Sequence, residues 1–372
     1  MTSIAIVGAG IGGLTAALAL QRAGFRTVVH EQAAALAEVG AGVSVTPNAV
    51  KGLASLGLGP VLDALNAAIP RQQIRDPHGN PLFEIDRTGS RAQYGAPYLM
   101  MLRADLHGML AAAVTANDPV AIRLGSRADA QMLAAVHDLV VAADGVRSSF
   151  RATIAGDDPS FTGHVAWRTL IPAAALPTGT DTGPGSIVWT GEGRSLVRYP
   201  VRGGALVNIV GLSRGQAWRG EDWSATVDAG EAVAVFAGFA PEMLELLAAA
   251  PGGRLTSWGL FTRPPLASMV HGNIALLGDA AHPMLPFMGQ GAAMAIEDGV
   301  VLGRALAASP ADIPAALARY DAARGPRTRD IQAHSAAGAA ALQTTHQPGQ
   351  APAASEDNLG LFIYDPATVT LG

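Results

Sequence analysis

Ile4-Ala5-Ile6-Val7-Gly8-Ala9-Gly10-Ile11-Gly12-Gly13-Leu14, continued by Thr27-Val28-Val29-His30-Glu31, is the stretch that decides the fold. The apolar run Ser3–Val7 reads as a fully buried strand. Ile11–Ala23 carries Leu14, Ala17 and Leu18 at helical spacing, with Gly24 placed to end the helix. Thr27–His30 is a second apolar strand. Strand, helix and strand in this order form a βαβ unit and imply a parallel sheet. Gly8, Gly10 and Gly13 match G-x-G-x-x-G: a residue free for the sharp turn, one that lets a pyrophosphate approach the backbone, and one that lets helix and sheet pack closely. In a glycine-rich chain a purely structural turn is the competing reading. Glu31 stands 23 residues after Gly8, close to the ~20 at which a carboxylate accepts ribose hydroxyls; otherwise it is an ordinary strand end. Together these signals point to an ADP-containing dinucleotide.

Composition narrows the class. The chain has 372 residues, 25 basic and 30 acidic, for a net charge of −5; 15% are charged and 49% hydrophobic. Average globular proteins carry roughly 25% charged residues, so the balance excludes a disordered or polybasic nucleic-acid-binding chain. There is no cysteine, which excludes disulfides, thiolate metal sites and cysteine nucleophiles. Ile4–Leu20 is apolar enough to imitate a signal or membrane segment, but no basic residue precedes it and glycines interrupt it. The expectation is a soluble, cytoplasmic protein with no membrane or nucleic-acid partner.

Further along, Leu106–Thr115 reads as a helix and Leu139–Ala143 as a buried strand ending at Asp144-Gly145. From Phe161 to Val210, short alternating stretches (Ser186–Thr190, Ser195–Tyr199, Ala205–Val210) broken by Gly and Pro mark an antiparallel sheet. Ile274–Leu277 returns to a buried strand, and Gly291–Ala307 and Ala311–Arg324 are helical. Gln343–Glu356 reads as a linker to a tail at Leu361–Asp365. The expected architecture is α/β: a Rossmann-like dinucleotide domain, discontinuous over 1–152 and 273–345, a β-rich substrate domain over 153–272, and a linker and tail over 346–372. Residues 70–100 are candidates to join the substrate sheet.

Two later segments carry a family resemblance. Asp144-Gly145-Val146-Arg147-Ser148-Ser149-Phe150-Arg151 is similar to the D-G-x-x-S-x-x-R signature of the single-component (group A) FAD-dependent aromatic hydroxylases. Gly278-Asp279-Ala280-Ala281-His282-Pro283, continued by Pro286-Phe287-Met288-Gly289-Gln290-Gly291 and Ala295-Ile296-Glu297-Asp298, resembles their second signature. Arg103-Ala104-Asp105-Leu106-His107 looks like their R-x-D-L-x segment. The salicylate, 3-hydroxybenzoate and 6-hydroxynicotinate hydroxylase type is the most similar. The resemblance implies FAD as cofactor, NADH or NADPH as a transient co-substrate, and O2. It implies hydroxylation of a small phenolic or N-heteroaromatic ring through a flavin C4a-hydroperoxide. It places Asp279 on the ribityl chain, Gly289, Gly291 and Ala292 at the flavin ring, Pro286 at its reactive edge, and Arg103 and Asp144 among the cofactor contacts. Asp279 as a helix N-cap is the alternative. Ser148 and Arg151 equally suit bracing of the helix that follows them.

The chain departs from that pattern at Ser195. Relatives acting on phenolic acids often have a His four residues before the Tyr-Pro pair, here Tyr199-Pro200, and serine alone is no general base at neutral pH. Tyr199 either contacts substrate or packs in the sheet; Arg194 and Arg198 either clamp a carboxylate or are solvated. Met284, Leu285 and Phe287 suggest an apolar wall. Residues 119–138 are shorter than the family's usual meander, and Gln32 stands where Arg is common. His30, His107, His164 and His282 lack metal-ligand spacing and read as structural, so no metal site is expected. Two further readings stay open: a larger or non-phenolic apolar substrate, and a flavin-binding protein without turnover.

Overall fold

Ile4–Val7, buried at all four positions, stands inside a six-stranded sheet. The computed structural model describes residues 2–36, 42–65, 67–215, 218, 225–343 and 358–372. Thr27–His30 and Leu139–Ala142 flank Ile4–Val7 in parallel. Ile274–Leu276 extends the sheet in parallel on one side and Ile122–Arg123 on the other, and Val270–His271 closes one edge antiparallel. Unalternating apolar runs are what a sheet covered on both faces requires. The chain therefore leaves this sheet after Ala142 and returns to it more than a hundred residues later.

Helix Ile11–Arg22 packs against helix Gly291–Ala308. The approach is close because Gly299 and Gly303 lie between them: a Cβ at either would come within 2.7 Å of the backbone of Ala16 or the side chain of Ala19.

The second sheet has eight strands, in the order Ala225–Asp228, Arg254–Thr262, Ser160–Pro172, Leu206–Arg214, Arg194–Val201, Ser186–Gly191, Arg71–Arg75, Pro81–Asp86. All neighbours are antiparallel except Ser186–Gly191 with Arg71–Arg75. One face presents Val165, Trp167, Trp189 and Ile209 to a core that includes Phe236 and Met243, from helices and turns within 229–250. The other face looks towards the first sheet. Gly42–Val45 and Leu99–Leu102 pair as a separate ribbon.

One element differs from the sequence expectation. The helix expected over Ala311–Arg324 runs from Ile313 to Leu342, straight through Pro326. Gly325-Pro326 is a local stop signal, but Arg324, Thr328, Ile331, Gln332 and Ser335 are all buried, and this packing overrides the propensity. The expected linker falls, apart from Gln343, outside the described residues. The tail is docked: Lys51, the chain's only lysine, donates to the carbonyls of Phe362 and Ile363 at 2.9 and 3.0 Å, and Arg304 donates to those of Pro366 and Val369. No helix among the described residues is long and apolar enough to cross a membrane.

Candidate functional site

The glycine turn is built as its residue types require. Gly8 has φ +98°, and a Cβ there would meet the Ala143 carbonyl at 2.3 Å; a Cβ at Gly13 would strike the Gly8 carbonyl. Gly10 has open space around it. Two side chains hold the turn. Glu31 accepts the Ala9 N–H through Oε2 and the Ala33 N–H through Oε1, both at 2.8 Å. Buried His107 reaches the Ala9 carbonyl at 2.6 Å; a carbonyl only accepts, so Nε2 carries the proton.

Between the two sheets lies a cavity of about 1310 Å³, larger than the roughly 300–1,000 Å³ of an ordinary small-molecule pocket. Gly10, Arg103, Tyr199, Asp279, Pro286, Gly289, Gly291 and Ala292 all line it. Gly8, Gly13, Glu31 and Asp144 are not among its lining residues. Helices Ile11–Arg22 and Gly291–Ala308 both begin at this cavity. Neither has a side-chain N-cap or an acidic residue in its first turn, which leaves their N-terminal N–H groups and dipoles for an anionic ligand.

Asp279 follows the strand Ile274–Leu276 and does not cap a helix; its side chain is exposed to the cavity. Burial raises its pKa above the ordinary carboxylate range, opposed by Arg103 and His282. Beneath it, the fully buried Asp298 accepts the Gly278 N–H at 2.9 Å and pairs with His282 at 2.6 Å and Arg324 at 2.7 Å. Burial alone would push the Asp298 carboxyl up; His282, Arg324 and the Gly278 N–H outweigh it and bring it down to about 2. Arg324 and Arg327 both bind Glu297, which also accepts from Asn48.

The sheet wall carries Ser195, Val197, Tyr199, Val210, Leu212 and Arg168; Met284, Phe287 and Met288 face it from the Asp279 side. Burial raises the Tyr199 hydroxyl well above its ordinary pKa, with Arg168 opposing the shift. The strand's alternation puts Arg194 and Arg198 on the other face, away from the cavity, which corrects the reading of them as a substrate-carboxylate clamp and, for Arg198, the solvated reading as well. Arg194 donates to the carbonyls of Val235 and Ala237. Arg198 is buried, not solvated, and pairs with Asp181 at 3.2 Å.

Residues 1–335 match the family described as FAD binding domain. The chain belongs to this family of FAD-dependent aromatic hydroxylases. It is 38% identical to a 3-amino-4-hydroxybenzoate 2-monooxygenase of Streptomyces platensis over 89% of this chain and 86% of that one. It is 35% identical to 3-hydroxybenzoate 6-hydroxylase 1 of Aquipseudomonas alcaligenes over 94% of each. The fold matches that of Klebsiella pneumoniae HpxO, solved with FAD and uric acid, with a TM-score of 0.76 and 28% identity over 91% of this chain and 88% of that one.

FAD is thus the cofactor of this flavin-dependent monooxygenase, and its cavity fits one: two uncapped helix ends, the unencumbered Gly10 and the cavity-facing Asp279 meet along one side. Asp144 accepts the Ser149 N–H through Oδ2, while its buried Oδ1 has no partner; burial raises its carboxyl. Ser148 and Arg151 brace the flavoprotein's scaffold. Ser148 caps the helix Ser149–Ala155, and Arg151 pairs with Asp157 and reaches the Ala281 carbonyl. Among the cavity residues not singled out from the sequence are Arg168, His334, Leu359, Tyr94 and Tyr98. Arg168 sits in an alternating strand whose inward face the sequence does not reveal, and His334 lies beyond the expected helix end. Among the described residues no cluster of His, Cys, Asp and Glu is suited to a metal ion.

Proposed function

We propose that this enzyme uses NAD(P)H and dioxygen to hydroxylate a small aromatic ring, phenolic or N-heteroaromatic, held between the Asp279 side of the cavity and the Tyr199 wall. The observation that carries this reading is the continuity of one cavity from the glycine turn, past Asp279 and Pro286, to Tyr199 on the antiparallel sheet. When bound, the flavin supplies the oxygen-activating chemistry. The chain's own residues bind, orient and exclude water. Gly8, Gly10 and Gly13 shape the turn for the pyrophosphate, and Glu31 is positioned by the Ala9 N–H for the adenosine ribose. Asp279 and Arg103 hold the polar middle of the cofactor. With FAD bound, the N–H groups of Gly291 and Ala292 would face the flavin ring, Gly289, whose own N–H donates to the Pro286 carbonyl at 3.1 Å, would shape the turn beside it, Pro286 would border its reactive edge, and Asp144 would steady the pyrophosphate side. Tyr199 contacts the substrate.

Among the described residues the sheet wall carries Ser195 and no histidine; the histidine that lines the cavity, His334, comes from the helix Ile313–Leu342. The wall without a histidine, with Met284 and Phe287 opposite, favours as a second reading a larger apolar substrate. The test is oxidation of NADH and NADPH by FAD-loaded protein with a panel of hydroxylated aromatic acids, phenols, N-heterocycles and polycyclic compounds. Acceleration together with incorporation of labelled oxygen from O2 into one compound supports hydroxylation and names the class. Bound FAD with no acceleration by any compound, or acceleration that yields only hydrogen peroxide across the panel, refutes it.

A further inference from the structure

Four buried arginines of this chain pair with carboxylates. Arg151 and Arg263 share Asp157, Arg198 pairs with Asp181, and Arg324 pairs with Glu297 and Asp298. Arg168 has no carboxylate partner among the described residues. Its guanidinium lies over the Trp258 ring at 3.8 Å, its Nε has no hydrogen-bond partner, and it lines the cavity beside Val210 and Tyr199. Stacking occupies the face of the guanidinium and leaves its N–H edge for a ligand. Burial pulls its pKa down to about 10; Tyr199 opposes the shift and Arg103 adds to it. It is therefore still a cation at neutral pH.

We propose that Arg168 anchors an anionic oxygen carried by the aromatic substrate, a carboxylate or a phenolate. This rests on reading the cavity as the hydroxylation site. A half-buried charge without a counter-charge at a cavity wall is a ready anchor, and a bound anion supplies the missing partner through charge-assisted hydrogen bonds. The strand residues next to it are apolar or weakly polar (Val197, Val210, Leu212, Ser195), and the carboxylates of this sheet that line the cavity, Glu84 and Asp86, stand on its far edge strand. A cation beside a bound phenol favours its ionised form, which is the service Ser195 cannot perform as a base.

The test is equilibrium binding to the FAD-loaded protein, read from the flavin absorption spectrum. The probes are benzoate against benzamide, and 4-nitrophenolate against nitrobenzene. The wild type is expected to prefer at least one anion to its neutral counterpart, and Arg168→Gln to weaken that anion by about 10- to 100-fold, the range of a charge-assisted hydrogen bond, with the neutral probe unchanged. Arg168→Lys should recover part of the loss. A benzoate preference assigns a carboxylate, a nitrophenolate preference a phenolate. Equal binding of charged and neutral probes, or an Arg168→Gln protein that binds the anion as the wild type does, overturns the proposal while leaving the hydroxylase reading intact. So does loss of FAD from Arg168→Gln, which would make Arg168 a cofactor contact. If no probe binds and no aromatic compound stimulates NAD(P)H oxidation, both fall. Should Arg168→Gln not fold, the wild-type probe pairs and Arg168→Lys still decide.

Discussion

The buried carboxylate of Asp298 accepts the backbone N–H of Gly278 at 2.9 Å, one residue before the cavity-facing Asp279. The loop that presents Asp279 is thus fixed from behind by an ion cluster of Asp298, Arg324, Glu297 and Arg327. Breaking a buried pair by removing one charge costs about 3–5 kcal/mol. Asp298→Asn should therefore lower stability by that order and weaken FAD binding at a distance. Asp298 is held at about 2, below the ordinary carboxylate value. Its stabilisation is complete above pH ~4 and lost as pH falls through about 2. Urea unfolding across that window should show a shallower acid limb in Asp298→Asn; identical limbs would remove Asp298 from the account.

Asp279 behaves oppositely. Burial raises its carboxyl, so the folded protein without cofactor disfavours the charged form, and the contribution of this group is lost as pH rises through its folded pKa. Asp279→Asn should leave the cofactor-free protein at least as stable as the wild type near neutral pH. It should also weaken FAD by about 10- to 100-fold, the range of hydrogen bonds to a charged group. Unfolding curves with and without FAD separate the two effects; an unchanged FAD affinity would exclude Asp279 as a contact.

Gly42 fixes the depth of Tyr199. A Cβ at Gly42 would fall 2.1 Å from the Tyr199 hydroxyl and 2.6 Å from its ring. Gly42→Ala is an overpacking change, expected to cost about 1–3 kcal/mol and to push Tyr199 out of the wall. The KM for the aromatic substrate should rise while FAD content stays constant. Steady-state kinetics on protein of measured flavin content checks this.

The tail supports the cavity from outside. The Phe362 ring meets Tyr94 and Tyr98 edge-on at 5.3 and 5.7 Å, and both tyrosines line the cavity. Phe362→Ala should cost about 3–5 kcal/mol and reduce substrate affinity. Ile363→Ala, 69% exposed, should change stability by less than about 0.5 kcal/mol. Equal effects in thermal unfolding of the two variants would contradict the docking.

Local sequence determined the glycine turn, the strands on either side of it, and the residues that meet at the cofactor side of the cavity. These are short-range patterns: glycines at fixed offsets, unalternating apolar runs, and an aspartate after a strand. Alternation even held the answer for Arg194 and Arg198, since residues an odd number of positions from Tyr199 must point away from its face. Tertiary structure decided what depends on distant pairing. Only the register of Ser160–Pro172 against Leu206–Arg214, with Arg168 opposite Val210, sets Arg168 beside Tyr199. Only packing of Arg324, Thr328 and Ile331 carries a helix through Pro326 and brings His334 to the cavity. Only the folded surface gives Leu361 and Phe362 a place to be buried. Backbone preference acts over a few residues, whereas which face of a strand is inward is fixed by burial against segments far away in the chain.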